Sequence, residues 1–226
     1  ITERYDIYGI SSSTPQYTKA KLTLEYIRRL NPESKVILGG AHVNSSKCAL
    51  EAIADGFNQV VVGQGEKSLL KIINGIKKNK IVIGENLNQQ EVDNLNPDRN
   101  AINLQDYGFP LERGKATTLI TSRGCPYNCS FCSNEPGKVI FKNPEKVLQE
   151  ISLLNKNYGF ENFLFFDDSF TFNKRRLIRI LEDLKDKNFQ YRCYARSDNS
   201  YDEELLKLML DSGCIELGVG IESGSQ

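Results

Sequence analysis

Short apolar runs that end in glycine, serine or aspartate recur along this chain, and each is followed by a stretch of helical periodicity. Tyr5-Asp6-Ile7-Tyr8-Gly9-Ile10-Ser11 reads as a strand entering a Ser/Thr/Pro turn, Val36-Ile37-Leu38 as one ending in Gly39-Gly40, and Gln59-Val60-Val61-Val62 as a third before Gly63. Between them, Thr18 to Leu30 keeps Ala20, Leu24, Ile27 and Leu30 on one face. Asn44 is placed to cap a helix that runs to about Ala54 and stops at Asp55-Gly56. Gly65-Glu66 opens a helix expected to pack through Leu69, Leu70, Ile73 and Ile76. Strand–helix units of this length predict an α/β fold with a parallel, doubly wound, Rossmann-like sheet.

After residue 116 the alternation resumes with Thr118-Leu119-Ile120-Thr121-Ser122. Asn143-Pro144-Glu145 supplies a cap, a first-turn proline and an acid at the positive end of a helix, which continues through Val147, Ile151, Leu154 and Tyr158. Asn162 to Phe166 is a buried strand ending in Asp167-Asp168, and Asn173 precedes a helix lined by Leu177, Ile180, Leu181 and Leu184. Gln190 to Arg196 is the third strand, Ser200-x-x-Glu203 a capping box, Gly213 a helix stop and Ile215 to Ile221 the fourth strand. Four such units predict the first part of a partial TIM barrel. Catalytic groups in parallel barrels gather at the carboxyl ends of strands, which singles out Asp167, Asp168, Arg196, Glu222 and Ser223. Along the fourth strand Glu216, Gly218, Gly220 and Glu222 share one face, a glycine floor on which a nucleoside could lie. The plain alternative is that Asp168 and Ser169 cap a turn and Arg196 serves an ion pair. The expected organisation is a first domain over 1–84, a polar Asn/Gln-rich linker over 85–115, and a barrel domain over 116–226.

Composition excludes several classes. The 226 residues suffice for one large or two modest domains, and a formal net charge of zero gives no long-range attraction to nucleic acid or an anionic membrane. No apolar run approaches the roughly 20 residues of a membrane helix. The start, Ile1-Thr2-Glu3-Arg4-Tyr5-Asp6, is not a signal peptide, and its lack of an initiator methionine, like a barrel of only four units, suggests a chain truncated at both ends. Cys48, Cys193 and Cys214 stand singly, unlike a secreted disulfide framework, so a reducing cytoplasmic setting is expected.

The other three cysteines fall in Arg123-Gly124-Cys125-Pro126-Tyr127-Asn128-Cys129-Ser130-Phe131-Cys132. Spacings of four and three bring side chains to one side of a helical turn or tight loop, and Gly124 and Pro126 favour a loop. Soft thiolates select zinc, copper or iron–sulfur, and three are one short of a closed structural zinc site. An incomplete zinc site and three buried structural thiols are the alternatives to a cluster.

Cys-x-x-x-Cys-x-aromatic-Cys after a strand resembles the radical S-adenosylmethionine (SAM) enzymes. That resemblance implies that Cys125, Cys129 and Cys132 hold a four-iron–four-sulfur (4Fe–4S) cluster whose open iron takes the methionine part of SAM, with Phe131 beside the adenine. It extends to Phe166-Asp167-Asp168-Ser169-Phe170 and Gly220-Ile221-Glu222-Ser223, and implies SAM contacts at Asp168, Glu222 and Ser223; Arg196, at its own strand end, is expected to join them as a polar partner of SAM. The order Asp6-Ile7-x-Gly9-Ile10-Ser11-Ser12, Gly39-Gly40-Ala41-His42, then Asp55-Gly56 before Val60-Val61-Val62-Gly63-x-Gly65-Glu66 resembles the cobalamin (B12)-binding domain that precedes many radical SAM domains. It implies a corrin near Ser12, Gly39 and Gly40. His42 is the only histidine, so the Asp-x-His-x-x-Gly motif of histidine-liganded cobalamin is absent. The implied chemistry is reductive cleavage of SAM to a 5′-deoxyadenosyl radical, with cobalamin-dependent methyl transfer to a carbon of a small-molecule substrate and an electron donor such as flavodoxin or ferredoxin. A methylthiotransferase-like enzyme is the alternative within the superfamily, although its first domain carries three more cysteines where this one has Cys48. A non-catalytic metal-binding module is the alternative outside it.

Overall fold

Residues 4–111, 114–132, 137–197 and 202–224 are described by a computed structural model of the chain. They divide into two compact units, Ile1–Leu87 and Asn88–Gln226.

In the first unit, β1 (Ile7–Ser11), β2 (Lys35–Gly39), β3 (Gln59–Val62) and β4 (Ile81–Ile83) lie in chain order as one parallel sheet. Alternate strand residues face opposite ways, which explains two separate cores. Val36, Leu38 and Val60 pack under α1 (Tyr17–Leu30) and α2 (Ser46–Ala54), whose Leu24, Ile27, Ala49 and Ala52 close that face. Ile37, Val61 and Val82 pack against Ile72 of α3 (Glu66–Ile73). The doubly wound sheet expected from the sequence is therefore present.

Two local expectations differ. Ser45, not Asn44, caps α2, accepting from the Cys48 amide. In α3, Leu69, Leu70 and Ile73 are exposed, as is Ile76 beyond it, while Ile72 is buried. The apolar residues share one side of the helix, and the helix is turned so that the row through Ser68 and Ile72, at the edge of that side, is the one buried. Burying that isoleucine contributes about 1.5–3 kcal/mol.

The second unit begins with α4 (Gln89–Asn94), closed by the reciprocal capping box of Asn88 and Glu91. Its main sheet has the order β11 (Cys214–Gly220), β10 (Gln190–Arg196), β9 (Asn162–Phe165), β6 (Gly114–Leu119), β5 (Phe109–Leu111). The first four named are parallel, and β5 runs antiparallel on the edge of β6. The helices α5 (Pro144–Tyr158), α6 (Lys174–Leu184) and α7 (Glu203–Asp211) cover one side through Val147, Ile151, Leu154, Leu177, Ile180, Leu181, Leu205 and Met209. Four barrel strands were read from the sequence; β9, β10 and β11 lie within a residue of that reading, while the first, read over Thr118 to Ser122, runs instead over Gly114–Leu119. Asp202 caps α7; Ser200, the residue expected there, lies outside the described residues.

The polar stretch read as a linker contributes structure to this unit. Besides α4 and β5 it supplies Leu104 to the core. Its Asp93 takes the backbone and side-chain N–H groups of Asn143 at 2.7 and 2.6 Å. That engagement leaves Asn143 at the start of α5 without a capping bond of its own. Lys142, 2% exposed, donates to Glu150 at 2.7 Å and to Leu95 O and Asn96 Oδ1, both at 2.9 Å.

Candidate functional site

The chain leaves β6 at Leu119 and crosses Thr121 into β7 (Ser122–Arg123), which pairs antiparallel with β8 (Ile140–Phe141). The ten-residue cysteine stretch therefore begins on a two-stranded neck at the carboxyl end of the first barrel strand. Gly124 has φ +92°, and a Cβ there would stand 2.8 Å from Lys138 O, so the exit from the neck requires glycine. Cys132 N donates to Cys129 O at 3.0 Å, a tight turn between the second and third cysteines, and Gly137 N donates to Cys125 O at 2.8 Å beside the first.

All three cysteines are thiols rather than disulfides, with Cys125 and Cys129 half-buried and Cys132 exposed. Among the described residues no three His, Cys, Asp or Glu side chains stand grouped for a metal ion. Holding a cluster therefore requires the loop to draw its sulfurs together. The donor set fits one: three soft, accessible thiols on one loop suit iron–sulfur and leave one position open.

Arg196, at the end of β10, reaches this loop. Its guanidinium carbon lies 3.7 Å from the Tyr127 ring centroid, and Nη1 donates to Cys129 Sγ at 3.4 Å. Phe131, between the second and third cysteines, is 65% exposed. Asp168 is exposed at the end of β9, and Glu222 and Ser223 are exposed after β11. The structure thus brings Arg196 to the cysteines and sets Asp168, Glu222 and Ser223 at the same end of the sheet.

The glycine floor of β11 is covered at Gly218, while Gly220 stays exposed. A Cβ at Gly218 would meet the Tyr194 ring at 2.8 Å, and one at Gly220 would meet the Glu222 carboxylate. Glu222 itself has φ +61°, unusual for a side-chain-bearing residue, inside a tight turn where Ser223 N donates to Ile221 O at 2.7 Å.

The strand-end rule singled out both Asp167 and Asp168, but a SAM contact was expected only of Asp168. Asp167 is 2% exposed and accepts from Thr121 N (2.8 Å), Thr121 Oγ1 (3.0 Å), Ser122 Oγ (2.7 Å) and Ser122 N. Burial pushes its carboxyl above the usual range, opposed by those hydroxyls and by Arg176. Arg176, on α6, donates Nε to Lys142 O at 2.8 Å and Nη2 to Thr121 O at 2.9 Å. Burial lowers its guanidinium to about 10, against the pull of Asp167 and Asp93. The available signal was the strand end itself, since one of two adjacent aspartates there had to point inward.

In the first unit, the ends of β1 and β2 meet. Ser12 is buried, its amide donating to Gly39 O at 3.0 Å and its carbonyl accepting from His42 N at 2.9 Å. Gly40 has φ +94°, and a Cβ would lie 2.7 Å from both Ser11 Oγ and Ser12 N, so this glycine is required by the strand ends themselves. Gly39 differs: the nearest atom to a Cβ is Val61 O at 3.9 Å. Nothing lies within 4 Å of a Cβ at Gly63, at the end of β3. Bare backbone at two neighbouring carboxyl ends fits a flat ligand, as the position of such sites in doubly wound sheets anticipates. His42 is buried and stacks on Tyr17 at 3.8 Å; its Nδ1 lies 3.4 Å from Thr14 Oγ1 and its Nε2 has no partner.

Comparison with known proteins agrees with this architecture. Residues 119–226 match the family model of the radical SAM superfamily, and residues 1–73 match that of the B12 binding domain. The chain belongs to the radical SAM superfamily and carries a B12-binding domain ahead of the cysteine loop. An uncharacterized methyltransferase of Pyrococcus horikoshii is 30% identical over 97% of this chain and 52% of its own length. The anaerobic magnesium-protoporphyrin IX monomethyl ester cyclase of Rubrivivax gelatinosus is 25% identical over 100% of this chain and 45% of its own. Among solved structures, the radical SAM methyltransferase TsrM from Kitasatospora setae, with cobalamin and a [4Fe-4S] cluster bound, superposes with a TM-score of 0.73 at 18% identity, over 97% of this chain and 49% of that one. The chain spans about half the length of the curated relatives it matches. No helix of the described residues is long and apolar enough to cross a membrane.

Proposed function

We propose that the chain is the cofactor-binding part of a radical SAM enzyme that transfers a methyl group to an unactivated carbon of a small molecule with the help of cobalamin. The observation that carries this reading is the cysteine loop, set on a fixed neck at the carboxyl end of the first strand of a parallel half-barrel, in a chain with a B12-binding domain. Cys125, Cys129 and Cys132 would hold a 4Fe–4S cluster through three of its irons. When bound, the cluster supplies the electron that cleaves SAM into methionine and a 5′-deoxyadenosyl radical, and cobalamin supplies the methyl group.

The chain's own part is positioning. Arg196 lies against Cys129 and Tyr127, where its positive charge can face the methionine carboxylate of SAM. Phe131 presents an exposed ring to the adenine. Glu222, Ser223 and Asp168, at neighbouring strand ends, offer acceptors and a hydroxyl to the ribose and amino groups. For cobalamin, Gly39 gives bare backbone, with Ser12 shaping the turn beside it, and Gly40 lets the two strand ends approach. No residue is assigned as a proton acid or base. A flavodoxin- or ferredoxin-like donor in a reducing cytoplasm would supply the electron.

Anaerobic reconstitution with iron and sulfide tests this reading. Wild-type protein should become brown and oxygen-sensitive with about four irons per chain, and Cys129→Ala should lose most of them. Stoichiometric zinc, or a colourless protein with intact thiols, would support the non-catalytic module instead. A ring-closing reaction is the second reading, favoured by the match of the whole chain to a cyclase. Methyl transfer from SAM to product, followed with labelled SAM, separates the two.

A further inference from the structure

We propose that Asp167 and Arg176 are positioning residues of the cysteine loop, fixing the two strands of its neck and so the frame from which the sulfurs must converge. The inference rests on the assignment of Cys125, Cys129 and Cys132 as cluster ligands, and goes beyond it to residues that touch neither cluster nor SAM.

The neck cannot hold itself. Only Ser122 with Phe141 and Arg123 with Ile140 are paired between β7 and β8, and an isolated ladder of that length is unstable in water. One further backbone bond, Lys142 N to Thr121 O at 2.8 Å, closes its base. The remaining order comes from side chains on two other elements. From the end of β9, Asp167 takes the amides and hydroxyls of both Thr121 and Ser122, which fixes the outgoing strand. From α6, Arg176 spans both strands, Nε on Lys142 O of the returning strand and Nη2 on Thr121 O of the outgoing one. A planar guanidinium donating at two points sets a separation that a single ammonium cannot. Its carbon also lies 5.3 Å from the Phe141 ring centroid on the returning strand. Thr121, Lys142 and Asp167 are each 2% exposed, so water does not substitute for these bonds.

A pair that merely satisfied the core would, when altered, loosen the second unit as a whole. A neck clamp predicts a local effect. The protein is examined by amide hydrogen exchange without metal, and by iron content and the electron paramagnetic resonance spectrum of the reduced cluster after reconstitution. In Arg176→Lys, which keeps the charge and loses the two-point span, amides of residues 121–123 and 140–142 should exchange at least tenfold faster. Those of 190–196 should be unchanged, iron uptake should fall by half or more, and the cluster spectrum should broaden. Thr121→Val, which deletes one hydroxyl donor to Asp167, is the milder second variant and should act in the same direction. Full retention of neck protection and iron in Arg176→Lys would overturn the proposal, as would an equal loss of protection across 190–196. If wild-type protein takes up no iron, the cluster reading fails, while the exchange measurement still decides the clamp.

Discussion

Arg196 lies face-on to Tyr127, its guanidinium carbon 3.7 Å from the ring centroid, while the same group donates to Cys129 Sγ. The end of the third barrel strand is thereby tied to the middle of the cysteine loop, two segments far apart in sequence. Ring and guanidinium each order the other, a contact worth about 0.5–1 kcal/mol when exposed and about 2 when desolvated.

The first prediction concerns this contact. A cation donating a hydrogen bond to a cluster sulfur stabilises the reduced, more negative cluster. Arg196→Met should therefore make the midpoint potential of the reconstituted cluster more negative at unchanged iron content. Tyr127→Leu keeps the donor and should move it less. Equal potentials for Arg196→Met and wild type in a spectroelectrochemical titration would remove Arg196 from the cluster's surroundings.

The second concerns cobalamin. A leucine at Gly39 has room at the strand end and would stand where the backbone is now bare, so Gly39→Leu should abolish retention of cobalamin while the circular dichroism melting curve stays close to that of wild type. Gly40→Leu answers a different question. There φ is +94° and the strand ends are in the way, so it should lower the melting temperature whether or not a ligand binds. Cobalamin retained equally by Gly39→Leu and wild type after desalting would move the site elsewhere.

These two glycines show where the sequence stopped being informative. Adjacent and identical in print, they differ because a side chain at one would meet only an ordinary contact with Val61 O, whereas at the other it would collide with Ser11 and Ser12. The same holds for α3, where Leu69, Leu70 and Ile73 outnumber the single isoleucine that the sheet buries. Strands with strong patterns, such as Gln190–Arg196, were readable to the residue. Ile81–Ile83 was too short to show a period, and α4 hid in polar composition, although Asn88-x-x-Glu91 is a legible capping box. At the site, the cysteines and the strand-end residues were readable because chemistry and topology name them. The inward role of Asp167 was not, because it depends on donors 45 and 46 residues away.

The third prediction is a pH dependence. Glu85 sits between Lys71 and Lys77 at 2.6 and 2.7 Å, and those two ammonium groups hold its carboxyl down at about 2 from an ordinary 4.5. A depressed carboxyl contributes stability that is present above the unfolded value and lost as pH falls towards the folded one. Between pH 4.5 and 2 the wild-type protein should lose stability relative to Glu85→Gln, by a small amount because the pair is open to solvent. Parallel curves of urea midpoint against pH for the two proteins would show that the lysines do not act on Glu85.

The fourth concerns SAM. Glu222 is held at φ +61°, and its carboxylate lies against Gly220, the exposed glycine at the strand end. A left-handed backbone at a side-chain-bearing residue costs about 1–2 kcal/mol, and such strain collects where a side chain must be aimed. With a nucleoside over β11, that carboxylate is an acceptor at the strand end for a ribose hydroxyl or an amino group. Losing one charge-assisted hydrogen bond costs about 1.5–3 kcal/mol, roughly tenfold to a hundredfold in affinity. Glu222→Ala should weaken SAM binding by that factor with the cluster intact, read from the change in the cluster's electron paramagnetic resonance signal as SAM is added. Glu222→Gly would relieve the backbone strain and still lose the acceptor, so it should bind SAM as weakly as Glu222→Ala. If either variant binds as tightly as wild type, the carboxylate takes no part in holding SAM, and the nucleoside is held from another strand.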